Sequence, residues 1–255
     1  MKENFENNTK QLLSGPKSFE LHKFFGPYFA EFMLPSDVIE ALLKMTDTLL
    51  SDSKKIKFSK NLAGVIDEEV MIFKEDLLKF GVSDILERCV RSYVMNTTKL
   101  HSIHQDDYEY QSIINSAWIV SQYENEYNPV HSHTNADISA VLYLKTPNVK
   151  GRRNIKGKSG DNDSDITFIY NAASTRDRDI FDRGIINFSP GVGQLLMFPS
   201  YLFHTVYPFL GTEERRSIAF NAVYTISKNK EILYGSPEKL NFHYKFHQTR
   251  KEHTK

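Results

Sequence analysis

The chain has 255 residues, 40% hydrophobic and 25% charged, the balance of a globular protein with room for one sizeable core. Lys plus Arg and Asp plus Glu each total 32, so the formal charge is zero and no global field draws nucleic acid, although a local basic groove stays compatible with that balance. Cys89 is the single cysteine, which excludes an internal disulfide and any Cys-rich zinc or iron–sulfur site.

Residues 1–16 read as a loose arm ending at the Ser14-Gly15-Pro16 breaker. A basic stretch followed by an apolar run is missing there, so no signal peptide is expected. No later stretch approaches the roughly 18 apolar residues of a membrane span, and the expected location is a reducing cytoplasm. Leu21–Phe32 is rich in aromatics (Phe24, Phe25, Tyr28, Phe29, Phe32) and reads as a strand or turn packed on the core. Leu34-Pro35-Ser36 then opens a helix, with Ser36 as expected N-cap and Asp37 and Glu40 at its positive end. Val38, Ile39, Leu42, Leu43, Thr46, Leu49 and Leu50 recur near the helical period. After a polar link at 51–60, Glu75–Leu78 reads as a short helical piece and a longer helix begins at Ser83. Ile85, Leu86, Cys89, Val90, Tyr93 and Val94 form its apolar face, which makes Cys89 a buried structural thiol. Residues 1–111 are thus expected to be mainly helical support.

The pattern changes after Gln111. Short strands are expected at Ala117–Tyr123, Ile138–Leu144, Ile166–Tyr170, Ile185–Phe188, Gln194–Phe198, Phe203–Val206 and Ser217–Ile226, separated by Gly, Pro, Asn and Asp. Strands without intervening helices of 10–15 residues argue against a doubly wound parallel sheet and fit an antiparallel sandwich or jelly roll with helices packed outside. The insertion Asn148–Asp165 runs from basic to acidic and reads as a solvated loop, its glycines also allowing a substrate flap. Asn241–Phe246 could add an outer strand, and His243, His247 and His253 sit among charged residues in no ligand pattern.

Three histidines carry the candidate chemistry. In a strand, positions two apart face one side, so His131 and His133 can converge, and His204 at the start of a later strand can complete a metal set. The surroundings are Trp118–Tyr123 before the pair, Ser189–Ser200 and His204-Thr-Val-Tyr-Pro208 later, then Glu214-Arg215-Arg216-Ser217-Ile-Ala-Phe-Asn221.

This order resembles the iron(II)/2-oxoglutarate-dependent oxygenases, in a branch of bacteria and tailed phages similar in layout to prolyl-hydroxylase-like enzymes. The resemblance covers about Asn115–Tyr224 and reaches weakly upstream to Asn61-Leu-Ala-Gly64. It implies a mainly β, double-stranded β-helix (jelly roll, cupin-like) core at 112–226, with 1–111 in support and 227–255 as a C-terminal extension of a single domain. It further implies Fe(II), with 2-oxoglutarate and O2 as cosubstrates, ascorbate maintaining activity, and substrate hydroxylation with release of succinate and CO2. The family's ligands are a His-x-Asp/Glu pair and a distant His. His131 and His204 match two of them, and His133 stands in the carboxylate position. Either His133 completes the set or Asp137 turns back to do so. The family's Arg-x-Ser pair maps onto Arg215 and Ser217, which alternation places on one side of a strand while Arg216 points away. Tyr143 is a second candidate for the outer carboxylate. Asn221 could touch cosubstrate or a ligand, and Trp118 and Tyr123 could line the pocket or pack in the core.

Two other functions stay open. One is a three-histidine zinc hydrolase or isomerase; the other is a non-catalytic binding or structural relative of the fold. The substrate could be a peptide, a protein side chain or a small molecule, and a nucleic-acid component stays open as well. A membrane partner is not expected, and the chain could act as monomer or homodimer. If a phage encodes it, its place is the host cytoplasm. No P-loop, dinucleotide-binding glycine motif or serine nucleophile elbow occurs.

Overall fold

A computed structural model describes residues 15–22, 26–58, 62–149, 162–170, 184–235 and 237. The arm at 1–14, Phe24, Phe25, Asn61, most of the 148–165 insertion and the tail with its three histidines lie outside the described residues. Among those described, no helix is long and apolar enough to cross a membrane.

Among the described residues, twelve strands and three helices follow in the order β1 (Ser18–His22), β2 (Phe29–Met33), α1 (Ser36–Ser51), β3 (Glu68–Ile72), α2 (Lys74–Lys79), α3 (Ser83–Leu100), β4 (Glu109–Gln122), β5 (Asn128–His131), β6 (Ile138–Lys145), β7 (Ile166–Ile169), β8 (Ile185–Phe188), β9 (Gln194–Pro199), β10 (Phe203–Val206), β11 (Arg215–Lys228) and β12 (Glu231–Gly235). The major sheet runs β1-β2-β9-β6-β11-β4-β3, with β12 added on β11. The minor sheet runs β5-β10-β7-β8. All pairings are antiparallel, and the two sheets with N-terminal helices form the expected jelly roll.

The major sheet is covered on both faces, so its central strands cannot alternate apolar and polar residues. Every residue of Ile138–Leu144 in β6 is buried. One face packs on the helices: Val38, Leu42 and Met45 of α1 and Ile85, Leu86 and Val90 of α3 meet Ala140, Leu142, Ile218 and Phe220. The other face meets the minor sheet through Phe29, Tyr143, Phe168, Leu196, Phe198 and Val206. Beside this inter-sheet layer, Phe58, Met71, Phe73, Trp118 and Val120 form a third cluster. Cys89 is buried in the helix-side core, and burial pushes its thiol up to about 12.

Three expectations need correction. Residues 1–111 do more than supply helices: β1, β2 and β3 extend the major sheet at both edges. The cap of α1 is Pro35 in extended conformation with no side-chain hydrogen bond, which leaves Ser36 inside the first turn. Tyr123 lies past the end of β4 and is 44% exposed, so it lines nothing.

Candidate metal centre

His131, His133 and His204 converge between the two sheets, one ligand nitrogen of each lying within 4.8 Å of the others. His131 and His204 are direct cross-strand partners in the β5–β10 ladder. That ladder shifts register between His204 and Val206, three positions of β5 opposing two of β10. This bulge turns Asn128 and His131, three residues apart, toward the same cavity. His133 reaches the cluster differently from the strand alternation expected of it: β5 ends at His131, and His133 follows in the connection to β6. Its backbone N–H donates to the Ser200 carbonyl at 2.9 Å, which ties that connection to the start of the β9–β10 turn. The turn beyond it, with Asn135 at φ 58°, is held by Asn115, whose amide donates to the Asn135 carbonyl at 3.0 Å. Asn115 is itself the extra residue of a bulge, where the β4–β11 register slips between Asn221 and Ala222.

Each ring is fixed through Nδ1. His131 Nδ1 lies 2.7 Å from the Pro129 carbonyl, and His204 Nδ1 lies 3.0 Å from the Leu202 carbonyl. His133 Nδ1 lies 2.6 Å from Asn221 Oδ1, with Ser139 Oγ bridging the same pair. Carbonyl oxygens only accept, so Nδ1 carries the proton and Nε2 keeps its lone pair for a metal. Burial lowers the proton affinity of all three rings: that of His131 falls, that of His204 falls well below the ordinary range, and that of His133 drops to about 4. The rings are therefore neutral at neutral pH, the state a metal ligand needs. This donor set fits a first-row divalent metal, and it contains no carboxylate. Asp137 does not supply one: its Oδ2 faces the backbone N–H of Tyr224 at 3.3 Å, and its side chain opens toward a different cleft.

The three histidines line a small cavity between the two sheets. Arg215 and Ser217 line it as well, while Arg216 turns to the opposite face and pairs with Glu214 at 2.6 Å and Asp47 at 2.5 Å. Arg215 is 1% exposed. Its donors meet the Ser164 carbonyl at 3.2 Å, Gln122 Oε1 at 3.2 Å and the Tyr143 hydroxyl at 3.5 Å, all formally neutral. No ion pair to Arg215 occurs among the described residues, although Asp165 adds a favourable field from farther away. Burial lowers the proton affinity of this guanidinium and pushes the Tyr143 hydroxyl up to about 12. Both features mark a desolvated cation held in place without a contacting anion.

The structure thus brings together His131, His133, His204, Arg215, Ser217 and Tyr143. Trp118 forms part of the cavity wall, 5.7 Å from the His133 ring, and Asn221 orients His133. Sequence reasoning missed Gln122, Glu69 and Asn128. Gln122 continues the inward alternation Trp118, Val120, Gln122, a signal that could have been read. Glu69 is a charged residue buried in a strand, and Asn128 reaches the cavity only through a bulge that no local pattern announces.

Residues 116–221, which contain all three histidines, Arg215, Ser217 and Asn221, match the family model described as "Putative 2OG-Fe(II) oxygenase". The match covers less than half of the chain. Set beside the His-x-Asp/Glu pattern that the sequence resemblance implied, the all-imidazole cluster differs at His133. No curated protein matches the chain. Among solved structures, a prolyl-4-hydroxylase from Pseudomonas putida aligns at 14% identity with a TM-score of 0.46, covering 80% of this chain and 91% of its own. A prolyl hydroxylase from Trichoplax adhaerens, bound to a hypoxia inducible factor peptide fragment, aligns at 14% identity and TM-score 0.47, covering 80% and 82%. HygX from Streptomyces hygroscopicus, with nickel, 2-oxoglutarate and hygromycin B bound, aligns at 11% identity and TM-score 0.47, covering 76% and 82%.

Proposed function

We propose that the chain is a three-histidine metal enzyme that binds 2-oxoglutarate through Arg215 and uses iron(II) and O2 to hydroxylate a second substrate, releasing succinate and CO2. The observation that carries this reading is the buried guanidinium facing the histidine cavity with only neutral contacts around it. A carboxylate placed there gains charge-assisted, directed hydrogen bonds and relieves the burial of the cation. The Tyr143 hydroxyl and Ser217 stand beside it as further donors. A bound iron(II) would supply dioxygen activation, held by Nε2 of His131, His133 and His204, and ascorbate would keep it reduced. The chain's own residues hold the rings in one tautomer, exclude water between the sheets and fix the cosubstrate's distal end.

The ligand set itself speaks for a second reading. Three neutral imidazoles with no carboxylate are the donor set of hydrolytic zinc centres, and such a centre would make the protein a hydrolase or isomerase. Arg215 would then bind an anionic substrate rather than a cosubstrate. A non-catalytic relative of the fold would keep the cavity and lose turnover. The deciding experiment combines metal analysis of the purified protein, calorimetric titration with 2-oxoglutarate, and succinate release in iron(II) and ascorbate under air. Oxygenase function requires 2-oxoglutarate binding at micromolar concentrations and succinate release. Zinc occupancy with no 2-oxoglutarate binding establishes the hydrolytic reading. Binding without succinate release across a substrate panel establishes the non-catalytic one.

A further inference from the structure

Arg215 and Arg216 are neighbours on β11, and the fold treats them in opposite ways. Arg216 meets the carboxylates of Glu214 and Asp47. Arg215 meets three neutral acceptors, one at each nitrogen: the Ser164 carbonyl at Nε, Gln122 Oε1 at Nη1 and the Tyr143 hydroxyl at Nη2. The Tyr143 ring also lies 5.0 Å from the guanidinium carbon, a neutral face suited to a cation. A guanidinium carries five N–H donors, so these contacts leave one on each terminal nitrogen. Two N–H groups on the terminal nitrogens are the fork that a carboxylate fills.

Gln122 is the member of this set whose neutrality depends on one amide. It ends β4, is 0% exposed and stands directly across the ladder from Arg215. Its amide is oriented at both ends. Nε2 donates to the Glu126 carbonyl, which only accepts, and Oε1 accepts from the guanidinium, which only donates. A glutamate of the same shape would reach Nη1 equally well and neutralise Arg215 within the protein, as Glu214 does for Arg216. Glutamine holds the same nitrogen and brings no charge.

We propose that Gln122 is the positioning residue that keeps the Arg215 charge open, gripping the guanidinium with a neutral acceptor so that the site selects a ligand ending in a carboxylate over one ending in an uncharged group. This rests on the 2-oxoglutarate reading above. Behind a wall closed to water, a cation already paired with a protein carboxylate has little attraction left for a second anion. A cation held by dipoles alone keeps that attraction, and its fixed direction lowers the ordering cost of binding.

The test uses nickel-loaded full-length protein, which binds without turnover, and two ligands of one length. These are 2-oxoglutarate and 2-oxopentanoate, in which a methyl group replaces the outer carboxylate. Calorimetry measures both on wild type, Gln122→Glu and Gln122→Met, each first shown to be folded by its melting transition. Gln122→Glu keeps the shape and the acceptor and adds a charge, whereas Gln122→Met removes the hydrogen bond and stays neutral. Wild type should favour 2-oxoglutarate by about 30-fold or more. Gln122→Glu should lower that preference by about tenfold or more and leave 2-oxopentanoate binding within about threefold. Gln122→Met should lower the preference by only about threefold. A residue that merely supports the Arg215 side chain gives the reverse order, with Gln122→Met the costlier change, and that order overturns the proposal. So does an undiminished preference in Gln122→Glu. If Gln122→Glu does not fold, Gln122→Met decides: a preference close to wild type supports the proposal and a collapsed one overturns it. In each of these outcomes, 2-oxoglutarate binding by wild type leaves the cosubstrate reading standing. Its absence overturns both.

Discussion

Arg215 offers the sharpest test of how the cavity is used. Arg215→Met removes the charge and all five donors while keeping much of the side chain's length. If the guanidinium grips the outer carboxylate of 2-oxoglutarate in bidentate fashion, two charge-assisted hydrogen bonds are lost, each worth about 1.5–3 kcal/mol. The sum, roughly 3–6 kcal/mol, corresponds to a loss of about 10²- to 10⁴-fold in affinity. The chain holds one tryptophan, Trp118, and it sits in the cavity wall, so its fluorescence reports titration of the nickel-loaded protein with 2-oxoglutarate. Arg216→Met is the matched control. Arg216 ties β11 to α1 through Glu214, Asp47 and Thr46 on the opposite face of the sheet. Its loss should lower the melting temperature by several degrees and leave 2-oxoglutarate affinity within about twofold. The metal-free Arg215→Met protein should melt close to wild type, because the contacts of Arg215 are neutral and its burial already opposes its charge. A large affinity loss confined to Arg216→Met would refute the assignment. A collapse of metal-free Arg215→Met stability would make Arg215 a structural residue instead.

Three further outcomes follow from the same geometry. Asn221→Leu removes the acceptor that fixes His133 Nδ1–H and should weaken nickel binding about 10- to 100-fold by calorimetry; unchanged affinity would show that Asn221 does not orient the ligand. His133 has a folded-state value near 4 against about 6.5 unfolded, so between those values the unfolded chain binds more protons. Metal-free stability should therefore be full above pH 6.5 and fall as pH drops toward 4, by about 3 kcal/mol for this ring alone in urea titrations, and a flat profile across that window would contradict the neutral buried cluster. Cys89 is buried with its thiol pushed up to about 12, so the native protein should resist thiol-specific reagents until it is unfolded; rapid labelling in buffer would place Cys89 outside the core.

The apolar faces of α1 and α3 carried their helical period in plain view, while the short strands from Ile138 to Val206 were marked by β-branched and aromatic runs set off by Gly, Pro, Asn and Asp; these elements stand where they were expected. β1 and β3 escaped because each has only five residues, and Glu68–Ile72 packs on both sides, which erases alternation. β4 and β11 were placed but shortened, since polar residues at Glu109–Ser116 and Ser227 pair in the ladder at the sheet's wetter end. In the site, the opposite orientations of Arg215 and Arg216 could be read from strand alternation alone. The approach of His133 could not. Two residues of spacing suggested a common strand face, whereas the ring is delivered by a connection pinned to Ser200, Asn221 and, through Asn135, Asn115. Those partners lie 18 to 88 positions away in sequence, and no local pattern encodes them.

The departure at position 133 has an electrostatic consequence that the surrounding residues address. A ligand carboxylate would bring one negative charge to the metal, and an imidazole brings none. Protonation of any of the three rings would block the site and crowd cations against Arg215. Burial between the two sheets prevents this by depressing all three proton affinities, so the cluster stays neutral without a carboxylate beside it. The cost is a site more positive by one unit once a divalent ion is bound. Such a site should hold a dianion such as 2-oxoglutarate more firmly and its own metal less firmly than a carboxylate-bearing one.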